Sequence, residues 1–331
     1  MKLDSVRELK QALSQSVLVH VAAAIRARTT FGVVSQAMSH VSVTPRSLAL
    51  GISRKGKDFR LAVRLQHRAM ESSPVIESIC KRAKGEVDLR YVGRVVKLAK
   101  SWHQKRNRPL RIGGSVGHFT LTAGTLGCFV RARTDGVLHI LSNNHVLADE
   151  NKAKVGDSIL QPGAFDGGQN PKDVIGKLAR FETVKPVGIN FVDCAMASIE
   201  EGIRFNLRKL QGLGNLAGVG PAFLDAGARV AKVGRTTGLT NGRITAFELD
   251  NVVVGYDAGN LRFDNQIEIE GADNGPFSQG GDSGSVIVDQ ELRAVALLFA
   301  GGDQGGTNGQ GLTYANPMQT VLDSLDIELA F

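Results

Sequence analysis

The chain is 331 residues long, enough for two or three compact units, and 42% of it is hydrophobic, enough to fill real cores. No apolar run reaches membrane-spanning length, and the cysteines, Cys80, Cys128 and Cys194, are odd in number and far apart, which argues against a disulfide framework and against a zinc site. The net charge of +8 conceals a split: residues 1–111 carry 23 Lys and Arg against 7 Asp and Glu, and the remainder carries 17 against 25, so two modules with different partners are expected.

In chain order, Leu3 to Leu13 has helix-forming composition, with Asp4 as its N-cap. The apolar stretch Val17 to Ile25 follows Asp4 and Glu8, where a secretory leader would be basic, so it reads as a buried helix face. Ser47–Ile52 and Phe59–Leu65 alternate in part and flank the polar turn Arg54-Lys55-Gly56-Lys57-Asp58, which predicts a β-hairpin. Ser73-Pro74 opens a helix running to Lys84 and ended by Gly85, and Glu86 to Leu98 reads as a strand. Residues 1–111 are thus expected to form a basic α+β module closed by the polar linker Gln104 to Pro109.

From Ile112 short apolar runs alternate with glycine-rich turns. They are Thr125–Val130, Val137–Leu141, Asp193–Ile199, Arg229–Val233, Gly242–Phe247, Gln266–Ile269, Ser285–Val288 and Ala294–Phe299. That spacing predicts an all-β barrel or sandwich, with Asn241-Gly242 as a tight turn between two strands. The fold class expected for the whole chain is mainly β.

The chemistry concentrates in Gly280-Gly281-Asp282-Ser283-Gly284-Ser285, which leads into Val286-Ile287-Val288. A serine hydroxyl is a weak nucleophile that needs an exposed tight turn and a nearby base. Glycines let such a turn aim backbone N–H groups at a developing oxyanion. Among seven histidines, His145 stands at the end of a strand, after Ser142-Asn143-Asn144 and before Val146-Leu147, where an imidazole can take a proton from the serine. The third member must be a buried carboxylate that holds the imidazole tautomer. Asp193 is set in the apolar run Phe191-Val192-Asp193-Cys194-Ala195, and a charge there requires a specific partner; Asp225 is its rival.

The order His145, Asp193, Ser283 and the Gly-Asp-Ser-Gly turn resemble the chymotrypsin-fold serine peptidases over about two-thirds of the chain. Ser142-Asn143-Asn144-His145-Val146 is similar to the histidine segment of HtrA-type peptidases, and Gly234-Arg235-Thr236-Thr237-Gly238 to a segment of bacterial lytic peptidases. The layout resembles the plant narrow-leaf-type peptidases and their bacterial relatives. The resemblance implies two six-stranded antiparallel barrels, here 112–215 carrying His145 and Asp193 and 216–331 carrying Ser283, with the backbone N–H groups of Gly281 and Ser283 as oxyanion hole. It also implies a specificity pocket walled by Phe277 and by Phe299, Ala300 and Gly301, without an acidic base and so suited to an apolar or small side chain. Asp282 needs a cation, and the lytic-type pattern points to Lys232, or failing that Arg235, so that the site forms without cleavage at Arg111-Ile112-Gly113-Gly114.

The function expected is therefore a serine endopeptidase acting on protein or peptide substrates without cofactor or metal, in the cytoplasm and away from membranes. The basic module is expected to dock a regulatory protein in preference to nucleic acid. The alternative is a catalytically silent trypsin-like fold serving as a protein- or nucleic-acid-binding scaffold.

Overall fold

The computed structural model describes residues 1–18, 48–93, 101–120, 123–221, 225–272 and 275–331. The stretch beyond Leu18 up to Ile25, and the end of the expected 86–98 strand, lie outside the described residues. The chain divides into two compact units, Met1–Ala99 and Lys100–Phe331.

In the first unit, α1 (Leu3–Leu13) buries Val6 and Leu13. Its N-cap is Lys2, not Asp4: Asp4 already lies in the first turn, where its charge complements the helix dipole and pairs with Arg7 at 3.1 Å. The expected hairpin forms from β1 (Leu48–Lys55) and β2 (Asp58–Leu65), turning at Gly56 in the left-handed region. In α2 (Pro74–Arg82) the Ser73 hydroxyl caps Ile76 N–H at 3.4 Å, and proline takes the first turn, where a missing N–H costs nothing. β3 (Val87–Tyr91) runs parallel to β2. Leu13, Leu61, Val63, Leu65, Ile76 and Ile79 close this unit's own core.

The second unit starts earlier than expected. Residues 101–111 are not a free linker: Asn107 is buried and donates its N–H to Gln161 Oε1 at 2.8 Å, and Leu110 N–H donates to the Arg204 carbonyl at 2.8 Å. A curled antiparallel sheet follows, built from β4 (Ser115–His118), β5 (Gly124–Thr125), β6 (Cys128–Ala132), β7 (Leu138–Ser142), then, after the one-turn α3 (Asn144–Leu147), β8 (Ser158–Leu160), β9 (Val174–Phe181) and β10 (Ala195–Ser198). Its spatial order is β6-β7-β10-β9-β8-β4-β5, and paired bonds between Gly113, Gly114 and Leu126, each 2.8 Å, extend the β4–β5 ladder by one rung.

A short ribbon, β11 (Lys209–Leu210) and β12 (Gly214–Asn215), and β13 (Gly218–Val219) lead to β14 (Arg229–Gly234), β15 (Gly238–Leu249), the hairpin β16 (Val252–Tyr256) and β17 (Gly259–Phe263), β18 (Gln266–Gly271), β19 (Val286–Val288), β20 (Arg293–Gly301) and β21 (Leu312–Pro317). Strands β20-β19-β14-β15-β18-β21 form six successive neighbours, and β21 pairs back onto β20 to close the barrel. The expected chymotrypsin-like double barrel is therefore the architecture found, one barrel closed and the other a curled sheet, preceded by the α+β module.

Two further expectations change. Asn241-Gly242 is not a turn: both residues lie inside β15, and β14 turns back at Arg235–Thr237. Gly242 is needed for packing, since a Cβ there would stand 2.6 Å from the Phe277 ring. The C-terminus does not stay with the second barrel: α4 (Met318–Leu325) delivers β22 (Ile327–Leu329) onto β6 of the first. One core joins the barrels, with Leu126, Phe129 and Leu141 packed in the same cluster as Val233, Val286 and Leu297.

Candidate active site

Strand pairing brings His145 and Asp193 together. Ala195 opens β10 opposite Ser142, the last residue of β7, so the residues just outside this pair meet at one end of the sheet. There α3 turns His145 toward Asp193, and the ring Nδ1 stands 2.5 Å from Asp193 Oδ2. Asp193 is fully buried and heavily solvated by protein. Its Oδ1 accepts the Asn144 and His145 N–H groups at 2.6 and 3.3 Å, and its Oδ2 also accepts the Tyr256 hydroxyl at 2.5 Å. Burial opposes the Asp193 charge, but the adjoining imidazole and these donors outweigh it and hold the carboxyl below its usual range. Burial likewise opposes charge on His145, yet the Asp193 carboxylate prevails and raises the imidazole above its ordinary value. With Nδ1 donating to Asp193, the lone pair is left on Nε2. Asp225 is an exposed turn residue.

The serine turn is set by its glycines. Gly281 and Gly284 have φ of +94° and +91°, the left-handed region that disfavours a side chain. The Gly280 carbonyl accepts from Thr236 Oγ1 at 2.7 Å and the Gly281 carbonyl from Thr125 Oγ1 at 3.0 Å. Among the described residues, neither the Gly281 nor the Ser283 N–H has an acceptor. The Ser283 carbonyl accepts Thr125 N–H at 2.8 Å. A Cβ on Gly124 would stand 2.8 Å from that carbonyl oxygen and 2.4 Å from a Val146 methyl, so the serine turn and the residue after His145 flank one glycine. Ser283 Oγ lies 3.5 Å from the Phe299 carbonyl, a long contact that leaves its torsion free to turn.

Asp282 and Lys232 are both fully buried, with Nζ 3.2 Å from Oδ2. The carboxylate also accepts Thr236 N–H, Thr237 N–H, the Thr237 hydroxyl and Gln279 N–H, at 2.8, 3.1, 2.7 and 3.0 Å. Burial lowers the Lys232 pKa against the pull of Asp282. Arg235 turns away from Asp282 and forks onto Asp166, at 2.6 and 2.7 Å. Its guanidinium lies against Gly281, where a Cβ would come within 2.3 Å of Nη1.

The expected pocket is redrawn. Phe277 is buried in the second barrel's core with Val230, Ile244 and Ile269, because Gly242 leaves room for its ring. Phe299 packs with Phe263 and Leu261, Ala300 is half-buried against them, and Gly301 is exposed. Beside Gly301 the Ser278 and Thr313 hydroxyls join at 2.7 Å, and a Cβ on Gly301 would lie 3.4 Å from Ser278 Oγ. Tyr256, Thr125 and Thr236 escaped the sequence reading, since each acts through a neighbour distant in sequence. The one local signal was the β-branched run Val252-Val253-Val254 ending at Tyr256. Among the described residues no group of three His, Cys, Asp or Glu could hold a metal ion.

A family model described as the Nal1 C-terminal domain matches residues 185–319, a span that includes Asp193 and Ser283 and omits His145. No curated protein matches the chain. Similar solved structures include Thermobifida fusca Protease A, 16% identical over 67% of this chain and 99% of that one, TM-score 0.45. Nocardiopsis protease is 17% identical over 67% of this chain and 100% of its own, TM-score 0.47. Cellulomonas bogoriensis chymotrypsin is 19% identical over 67% and 99%, TM-score 0.45.

Proposed function

We propose that this chain is a serine endopeptidase acting on protein or peptide substrates. The observation that carries the reading is the His145–Asp193 contact of 2.5 Å, with the carboxylate fully buried, at the end of the sheet that meets the Ser283 turn. In this reading Nε2 of His145 takes the Ser283 proton as Oγ attacks the peptide carbonyl. The imidazolium is stabilised by Asp193, and the N–H groups of Gly281 and Ser283 receive the oxyanion, each such donor lowering the barrier by about 3 kcal/mol. The imidazolium then protonates the departing amine. Water, deprotonated by the same Nε2, releases the acyl group and restores the serine.

The Lys232–Asp282 pair holds the turn in this shape without a cleaved N-terminus. The Ser278–Thr313 hydroxyl pair beside Gly301 suits a small substrate side chain with a polar end. The match over residues 185–319 supports the narrow-leaf-type resemblance for the half that carries Ser283. The test is labelling by a fluorophosphonate. Labelling of the native protein that vanishes in Ser283→Ala supports the enzyme; a native protein that never labels and never cleaves a peptide library overturns it.

A further inference from the structure

The hydroxyl of Tyr256 is a second neutral donor to the carboxylate oxygen that binds His145. Both Tyr256 Oη and His145 Nδ1 lie 2.5 Å from Asp193 Oδ2. We propose that Tyr256 is a positioning residue of the reaction: from the hairpin inserted between β15 and β18 it shares Oδ2 with the imidazole, fixes the plane of Asp193 and tempers its pull on the His145 proton. The inference rests on the peptidase reading above and names a further residue of that site.

Several independent contacts hold the phenol there. The Tyr256 ring stacks on Phe263 at 5.8 Å, Phe263 packs on Phe299 at 4.8 Å, and the edge of Tyr256 meets the His145 ring at 6.2 Å and 84°. Tyr256 closes β16, and the turn beyond it is pinned to the loop that follows α3. Asp257 N–H donates to Glu150 Oε2 at 2.7 Å, and Lys152 Nζ pairs with Asp257 at 2.5 Å. The far end of the hairpin is held to the segment before Asp193. Asn190 N–H donates to the Arg262 carbonyl at 3.1 Å, and Asp264 N–H to the Asn190 carbonyl at 2.9 Å. The hairpin, inserted between two strands of the second barrel, thus carries a hydroxyl to the carboxylate of the first.

The charged groups facing this cluster are Asp193, His145, Glu150, Lys152 and Asp257. Burial and the neighbouring Asp193 charge push the Tyr256 phenol far above its usual range, so it stays protonated and donating wherever His145 titrates. A carboxylate oxygen with two donors carries less charge toward each. Removing the hydroxyl leaves the imidazolium as the main claimant on Oδ2 and makes it harder to deprotonate.

The test compares the full-length protein with Tyr256→Phe, which keeps the ring stacking. His145 is titrated by 15N-histidine NMR, a readout that needs no turnover, and kcat and KM are followed against pH. The expected result is a His145 titration displaced to higher pH, an acid limb of kcat/KM displaced with it, and kcat lowered roughly 10- to 100-fold with KM retained. Fluorotyrosine placed at 256, a stronger donor of nearly the same shape, is expected to move the His145 titration to lower pH, and it decides the matter if the phenylalanine variant does not fold. Unchanged His145 titration in these variants overturns the proposal. A native protein that never labels at Ser283 instead overturns the peptidase reading, and the NMR titration still reports on Tyr256.

Discussion

Replacing Lys232 by methionine isolates what the buried ion pair does. Nζ and Oδ2 are 3.2 Å apart with no exposure on either side. At an effective dielectric constant of about 20 that separation corresponds to roughly 5 kcal/mol of attraction. Desolvation of both ions offsets much of it, so the pair need not be stabilising against two apolar groups. Deleting only the lysine is different, because Asp282 stays buried with its four donors and loses its cation. Breaking such a pair costs roughly 3–5 kcal/mol. In a unit of this size each kcal/mol moves Tm by about 2–4 °C, so Lys232→Met is expected to lower Tm by roughly 6–20 °C. The assay is calorimetry on Lys232→Met, Asp282→Asn and the double variant, with phosphonate labelling of Ser283 alongside. The double variant should lose far less than the two single losses together, by a coupling of at least about 2 kcal/mol, and labelling should fall in both singles. Losses that add to within about 0.5 kcal/mol would show that the two charges do not depend on each other and that Lys232 does not hold Asp282 in place.

In the proposed reaction the pH profile follows from His145, which must be neutral to accept the serine proton. Because Asp193 raises its pKa despite burial, the acid limb of kcat/KM should lie above the ordinary imidazole value of about 6.5. Asp193→Asn should move that limb down and reduce kcat by about 10⁴-fold. A native limb below the ordinary value contradicts the geometry. In Gly281→Ala the new Cβ meets both a left-handed φ of +94° and an arginine nitrogen 2.3 Å away. Labelling of Ser283 should be lost while Tm falls only by several degrees, since the strain amounts to about 1–2 kcal/mol before the arginine gives way. Phe277→Ala should cost about 3–5 kcal/mol of stability as a core truncation and leave cleavage preference unchanged. Thr313→Val should instead shift the preferred substrate side chain in a peptide-library profile, with a Tm loss of about 2–4 °C because the buried hydroxyl loses its bond to Ser278.

Local chemistry was legible wherever one residue type has few uses. Glycines at 281 and 284 flanking a serine announce a turn with positive φ, and both adopt it. An aspartate in the apolar run 191–195 announces a buried charge with a designated partner, and Asp193 has one in His145. Alternating apolar runs announced many of the barrel strands. The strands passed over include some whose residues face two environments, such as Val174–Phe181 with Lys177 and Arg180 turned outward and the hairpin 252–263, largely exposed on one side, and short ones such as Ser115–His118, buried throughout but with Val116 as its only aliphatic side chain.

Asn241-Gly242 shows the limit of a local rule. The dipeptide has the form of a turn, yet the demand on Gly242 comes from the Phe277 ring across the barrel, which no neighbour in sequence encodes. The same ring left the expected pocket because the barrel interior had room for it, and burying a large apolar side chain stabilises more than lining a groove does. Arg235 pairs with Asp166 and not with Asp282, whose cation is Lys232 from β14. The residue types at each turn and the charges needing partners were written in the sequence. Which partner each met, and that Tyr256 reaches Asp193, depended on strand register and barrel closure, which are properties of long-range pairing and are absent from any single stretch of chain.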